Sequence, residues 1–292
     1  MQRLLIIGSG DVARRALPRL VKRYRVYALM RDAGRAADWR AAGAVPVWGD
    51  LDDRRSLDRL AGLADLVLHL APPPNSGDID RRTRNLLAAL AKGKSLPRRL
   101  IYVSTTGVYG DCAGERIEET RPLRPHTARA RRRVDAEQRL RSAGTRQGME
   151  VVLLRAPGIY AADRLPLERL KAGTPALATA EDSFSNHIHA DDLAAACIAA
   201  LCRGGANRAY NVVDNSDMKM GDYFDRVADA FGLPRPPRLS REAIGQVLSP
   251  VQLSFMEESR RIGSRRLKAE LKLRLRYPTV DDGLLAARER KE

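Results

Sequence analysis

The 292-residue chain is poor in aromatic side chains, cysteine and histidine. Phe, Trp and Tyr make up 5% of it, which leaves little material for the stacking platforms that hold single-stranded nucleic acid. The three cysteines (Cys112, Cys197, Cys202) are odd in number and form no metal-spaced set. That excludes a disulfide framework and fits a reducing cytoplasm. The four histidines (His69, His126, His187, His189) do not pair with them at ligand spacing, so no metal site is expected. No apolar run approaches the roughly eighteen residues of a membrane span. The N-terminal run Leu4-Leu5-Ile6-Ile7 is too short for a secretory signal. A cytoplasmic protein without membrane contact is the expectation.

What the chain does have is basic charge. It carries 52 Lys and Arg against 36 Asp and Glu, a formal +16, and such a balance draws phosphate-bearing partners. The basic residues are spread along the chain and form no tail, which reads mainly as a solvated arginine-rich surface. Apolar residues make up 44%, enough for a sizeable core in one large domain or two modest ones.

Strand-like and helix-like pieces alternate over the first 155 residues. Short apolar runs at Arg3–Ile7, Arg25–Met30, Val45–Trp48, Leu66–Leu70, Leu100–Val103 and Val151–Leu154 read as buried strands. Ala13, Ala16, Leu17, Leu20 and Val21 form a helical stripe, with Pro18 inside it as an expected kink. Ile79, Thr83, Leu86, Leu87 and Leu90 form another. After Arg155 the pattern loosens. A stripe over Asp191–Leu201 and a strand at Ala209–Val213 follow, and Tyr223–Phe231, Arg241–Val247 and Arg260–Leu271 look helical. The expectation is an α/β fold, a Rossmann-type doubly wound parallel sheet with a smaller C-terminal substrate region. Residues 1–155 form the dinucleotide-binding part, to which 187–215 return, and 156–292 are mostly the C-terminal region.

Gly8-Ser9-Gly10-Asp11-Val12-Ala13 sits between the first strand and the first helix as G-x-G-x-x-A. The first glycine permits the tight turn, the second lets backbone approach a pyrophosphate, and the small third residue lets helix and strand pack closely. Free N–H groups at the helix start then hold phosphate. An acid at the end of the second strand would bond the ribose hydroxyls of NAD. This chain has Met30 there, then Arg31, with Arg35 nearby. Both arginines suit a 2′-phosphate, so NADP(H) is favoured over NAD(H). Asp32, slipped by two residues, keeps NAD(H) open.

With these residues in view, the chain resembles the extended short-chain dehydrogenase/reductase superfamily, of NAD(P)-dependent epimerase/dehydratase type. The likeness rests on Gly8–Ala13, Gly49-Asp50-Leu51, Leu68–Ala71, Val103–Gly110, Arg155–Tyr160, His187–Ala194, Tyr210–Asp214 and Asp282-Gly283-Leu284. It implies that Asp50 and Leu51 flank the adenine and that Leu70, Ala71 and Pro72 line the nicotinamide ribose. It places Arg155, Ala156, Pro157 and Gly158 near the nicotinamide. Thr105 matches the catalytic Ser/Thr, with Ser104 beside it. His189 and Asp192 match a structural motif tying a late helix to the core, and His187 is read as structural too.

The same resemblance exposes a departure. The family's Tyr-x-x-x-Lys falls on Arg129 and Arg133, and a guanidinium cannot exchange a proton near neutral pH. Arg129 is therefore not the acid/base. Arg133 retains the means to bond the ribose, and together the two form a cationic wall suited to an anion, or else an exposed basic face. The Asp-Glu pair of the dehydratase branch is replaced by Thr106-Gly107. Tyr109, Tyr160, His126 and Glu118 are the remaining proton-donor candidates. The expected function is an NADP(H)-dependent oxidoreductase or epimerase with a non-standard acid/base. The alternatives are a non-catalytic NAD(P)-binding sensor or partner-binding module. The partners expected are the dinucleotide, an anionic small-molecule substrate and a second copy of the chain in a homodimer, with neither nucleic acid nor membrane.

Overall fold

The computed structural model describes residues 1–289, so the last three positions of the expected 156–292 region lie outside the described residues. Seven strands build the central sheet: β1 (Arg3–Ile7), β2 (Arg25–Met30), β3 (Val45–Trp48), β4 (Leu66–His69), β5 (Arg99–Thr105), β6 (Glu150–Ala156) and β7 (Arg208–Asn211). Their spatial order is β7-β6-β5-β4-β1-β2-β3 and all pairs are parallel. This is a Rossmann-type α/β fold. Strand order reverses between β1 and β4, whose last residues Ile7 and His69 pair in register. A reversal of this kind opens a crevice at the carboxyl ends of the strands.

Both sheet faces are covered by helices, which is why the strands read as continuous apolar runs. Alternation along each strand divides the core. Leu4, Ile6, Leu66, Leu68, Ile101, Val152 and Leu154 face α1 (Asp11–Leu20) and α4 (Ala190–Arg203). Leu5, Ile7, Val67, Leu100, Tyr102, Val151 and Leu153 face α2 (Arg81–Leu90) and α3 (Ala128–Gln147). Between them these helices cover the sheet, and α1 packs on α4. Among the described residues, no helix is long and apolar enough to cross a membrane.

The C-terminal region has its own small core. Tyr223, Phe224 and Val227 of α5 (Met220–Ala230) pack with Val280 and Leu284 of α6 (Val280–Glu289).

Pro18 lies inside α1, which runs on past it to Leu20. Two local expectations need correction. Ile79 lies outside α2 and is 49% exposed. Asp80 starts that helix by accepting from the N–H of Thr83 at 3.1 Å, a cap that outranks the periodicity. Arg260–Leu271 is not one helix. Arg261–Ile262 pairs in parallel with Arg116–Ile117, and only Arg265–Ala269 is helical. Tertiary strand pairing overrides the local pattern there.

Candidate active site

The crevice between β1 and β4 holds a cavity of about 530 Å³, within the range of small-molecule sites. Its floor is the turn from Gly8 to Val12. Gly8 sits at φ +95, and a Cβ there would lie 2.5 Å from the backbone nitrogen of Ala71. Its glycine is thus required by both conformation and the close passage of the loop after β4. Gly10 differs, since a Cβ there would meet no protein atom within 4 Å. The space beside it suits a ligand's phosphates at the helix start.

Of the residues singled out in the sequence, Gly8, Ser9, Gly10, Asp11, Val12, Arg31, Arg35, Asp50, Leu51, Leu70, Ala71 and Pro72 all line this cavity. Arg35 donates to the carbonyl oxygen of Ser9 at 2.6 Å and so braces the glycine turn. Arg31 is 64% exposed at the end of β2, with Asp50 3.6 Å away. The Asp32 carboxylate accepts from the N–H of Gly34 at 2.9 Å, which occupies it as a turn cap. Ile159, from the Arg155–Tyr160 stretch, also lines it, and two further lining residues carried no signal in the sequence: Arg82 and Arg164. Arg82 holds Asp52 at 2.6 Å and donates to the carbonyl oxygen of Pro72 at 3.2 Å. Its spacing from the glycine turn matches no motif.

A second cavity, of about 210 Å³, takes in Thr105, Pro157 and Gly158 along with Arg129. Thr105 Oγ1 accepts from the N–H of Gly107 at 3.2 Å, leaving its own proton free to donate. Phe184, Asn186, Phe255, Glu258 and Arg260 of the C-terminal region close the far side. None of them was found from sequence, because residues this far apart along the chain share no pattern.

Several expected placements fail. Arg129 and Arg133 do not form one wall. Arg133 turns inward and donates to the Tyr102 hydroxyl at 2.9 Å and the Val103 carbonyl at 2.8 Å, satisfying β5 rather than a ligand. Ala156 is buried and lines neither cavity. The Arg155 guanidinium turns away into a buried ion pair, 2.7 Å from Glu137, because a buried charge needs a partner.

The four proton-donor candidates also line neither cavity. Tyr109 donates to Asn211 Oδ1 at 2.6 Å and accepts from Arg155 at 2.9 Å. Tyr160 donates to the Thr279 carbonyl at 3.1 Å. Burial pushes both phenols up from their ordinary range. His126 and Glu118 are exposed.

The remaining histidines are structural. His69 is buried against Thr83 at 3.0 Å, and burial, then Arg133, push it down to about 3. His187 stacks on Tyr223 with ring centres 4.3 Å apart. His189 caps α4 by accepting from the N–H of Asp191 at 3.1 Å. Asp192 accepts from the N–H groups of Arg276 and Tyr277 at 2.7 and 2.9 Å, tying α4 to the C-terminal segment.

Comparison with known proteins agrees with this architecture. A conserved protein of unknown function from Silicibacter pomeroyi has a structure with TM-score 0.80 at 28% identity, covering 99% of each chain. UDP-glucuronic acid 4-epimerase from Bacillus cereus, solved in complex with NAD, matches at TM-score 0.75 and 17% identity over 98% of this chain and 96% of that one, a likeness of fold. A 4-hydroxy-2-methyl-3-oxo-4-farnesyl-3,4-dihydroquinoline-1-oxide ketoreductase from Stigmatella aurantiaca is 24% identical over 243 residues, 77% of this chain and 72% of that protein. The family description "NAD dependent epimerase/dehydratase family" matches residues 4–213, and the chain belongs to that family.

Proposed function

We propose that the protein is an NADP(H)-dependent oxidoreductase of epimerase/dehydratase type, without the usual tyrosine. The observation that carries this reading is the open cradle at Gly10, at the amino end of α1 and the carboxyl end of β1. The pyrophosphate is read onto the turn Gly8–Val12, the adenine between Asp50 and Leu51, and the ribose of the nicotinamide beside Leu70, Ala71 and Pro72. When bound, the nicotinamide supplies or accepts a hydride. Thr105, Pro157 and Gly158 then bound the place where the reacting carbon sits. The ketoreductase relative supports reduction of a carbonyl, and the epimerase solved with NAD supports a dinucleotide in the crevice.

Preference for the 2′-phosphate is supported by Arg31, exposed and loosely held, and by Asp32, whose carboxylate is occupied as a cap. Calorimetric titration of NADPH and NADH tests both parts. NADPH is expected to bind more tightly, and Arg31→Ala to weaken it about tenfold, the worth of one charge-assisted hydrogen bond, with little effect on NADH. Tighter NADH binding refutes the preference. Silence with both cofactors refutes the reading.

A second reading, a non-catalytic NAD(P)-binding sensor, is favoured by Arg133 being spent on Tyr102 and Val103 and by both candidate tyrosines being locked elsewhere. Tight NADPH binding without oxidation by any carbonyl compound would select it.

A further inference from the structure

The second cavity has an unusual set of unspent polar groups. The Arg129 guanidinium has no carboxylate or carbonyl partner among the described residues and rests on the Phe255 ring, 4.1 Å from its centre. Nearby protein lowers its affinity for its proton and Glu258 raises it, but it stays charged. Arg260 Nη1 donates to Glu258 at 2.7 Å and to the Gly110 carbonyl at 2.8 Å. Its Nε is buried with no partner, and so is Glu258 Oε1. Asn186, by contrast, is engaged at both ends: it donates to the Arg260 carbonyl at 2.8 Å and accepts from the N–H of Ile262 at 2.9 Å. The groups left over are the exposed guanidinium of Arg129, the buried Nε of Arg260 and the buried Oε1 of Glu258, and the Thr105 hydroxyl proton.

Buried polar atoms left unpaired are costly and call for a complement. Two guanidinium groups against one carboxylate leave a single positive charge, which one acidic group neutralises. Glu258 Oε1 requires a donor in turn. Size narrows the class further. A nucleotide sugar carries a nucleotide, half of a dinucleotide, plus its sugar. It needs room comparable to the 530 Å³ crevice, not 210 Å³.

We propose that this cavity takes a small carbonyl compound bearing one acidic group and one hydroxyl or amine donor, and not a nucleotide sugar. Arg129 holds the acid, Glu258 Oε1 accepts from the donor, and Thr105 donates to the carbonyl oxygen. The assignment rests on the oxidoreductase reading. The carbonyl carbon gains the hydride, its π-electron pair moves to oxygen, and oxygen takes a proton from solvent, so the carbonyl is reduced to an alcohol as NADPH is oxidised.

Three matched aldehydes test it: a benzaldehyde with carboxylate and hydroxyl at its two meta positions, and the two analogues lacking one group. Affinity is read by calorimetry on the full-length protein without cofactor, and turnover by NADPH absorbance. The doubly substituted aldehyde is expected to exceed each analogue by about tenfold or more in affinity and in kcat/KM. Arg129→Gln is expected to erase the advantage of the carboxylate, and Glu258→Leu, which removes the acceptor oxygen, that of the hydroxyl, with thermal melting confirming that each variant folds. Equal use of the three aldehydes, no binding of any, or tighter binding of UDP-glucose overturns the proposal. Aldehyde binding with no binding of NADPH instead overturns the oxidoreductase reading and leaves the cavity's ligand class standing.

Discussion

Arg164 and Asp11 form an ion pair across the mouth of the first cavity, Nη1 to Oδ2 at 3.3 Å. Asp11 opens α1 within the glycine turn, whereas Arg164 comes from the C-terminal region, at the end of the turn Ala162–Arg164. A carboxylate beside a phosphate site opposes phosphate binding. Arg164 neutralises it, as does Arg15, 2.9 Å from Asp11 on its other side. Bound phosphates therefore compete with Asp11 for Arg164. Arg164→Ala is expected to weaken NADPH about tenfold while changing folding stability by less than about 1 kcal/mol, since the pair is solvent-exposed. Titration calorimetry beside urea denaturation checks both halves. An unchanged affinity would remove Arg164 from the phosphate site.

The two glycines of the turn are expected to separate folding from binding. Gly8→Ala forces a Cβ into the backbone of Ala71 at positive φ and should cost about 3 kcal/mol or more. Gly10→Ala meets no protein atom and should shift stability by less than about 1 kcal/mol, yet lower NADPH affinity by more than about tenfold because its methyl occupies the cradle. Melting curves and titrations of the two variants make the comparison. Equal melting temperatures, or full binding by Gly10→Ala, would contradict it.

The Arg155–Glu137 pair is a buried ion pair between β6 and α3. Both side chains are almost wholly buried, at 4% and 2% exposure, and the guanidinium also donates to Tyr109. Glu137→Ala strands the Arg155 charge and should cost about 3–5 kcal/mol in urea denaturation. The double replacement Arg155→Met with Glu137→Leu should recover much of that loss, because it removes the charge as well as its partner. A double variant no more stable than Glu137→Ala would argue against this account.

Asp214 carries a pH dependence. Burial pushes its carboxyl from 3.8 up to about 7, against the N–H of Ser216, which favours the charged form. Its Oδ2 is buried with no partner. The raised value means that its contribution to stability is complete below about pH 4 and fades as pH rises through about 7. Asp214→Asn should flatten the melting-temperature profile between those limits and raise the melting temperature at pH 8. A profile identical to that of the unaltered protein would refute the assignment.

The first cavity was largely legible in the sequence because phosphate binding at a helix start depends on contiguous residues. Gly8, Gly10 and Ala13 lie within six positions, and the apolar runs before and after them mark strand and helix. The second cavity was legible only on one side. Thr105, Arg129, Pro157 and Gly158 were visible as positions, but Phe255, Glu258 and Arg260 come from a loosely patterned stretch that only folding brings opposite them. The same holds for Arg155, which the sequence places beside Ala156 and Pro157 but which folding turns toward Glu137.

By itself the sequence determined the parallel sheet, its strand order class and the glycine-rich turn Gly8–Val12. These follow from local conformational preference and from apolar periodicity, which act over a few neighbours. The tertiary structure alone decided which charges neutralise each other and which remain unspent. A side chain's electrostatic partner depends on distance in space, and in a folded chain that distance is unrelated to separation along the sequence.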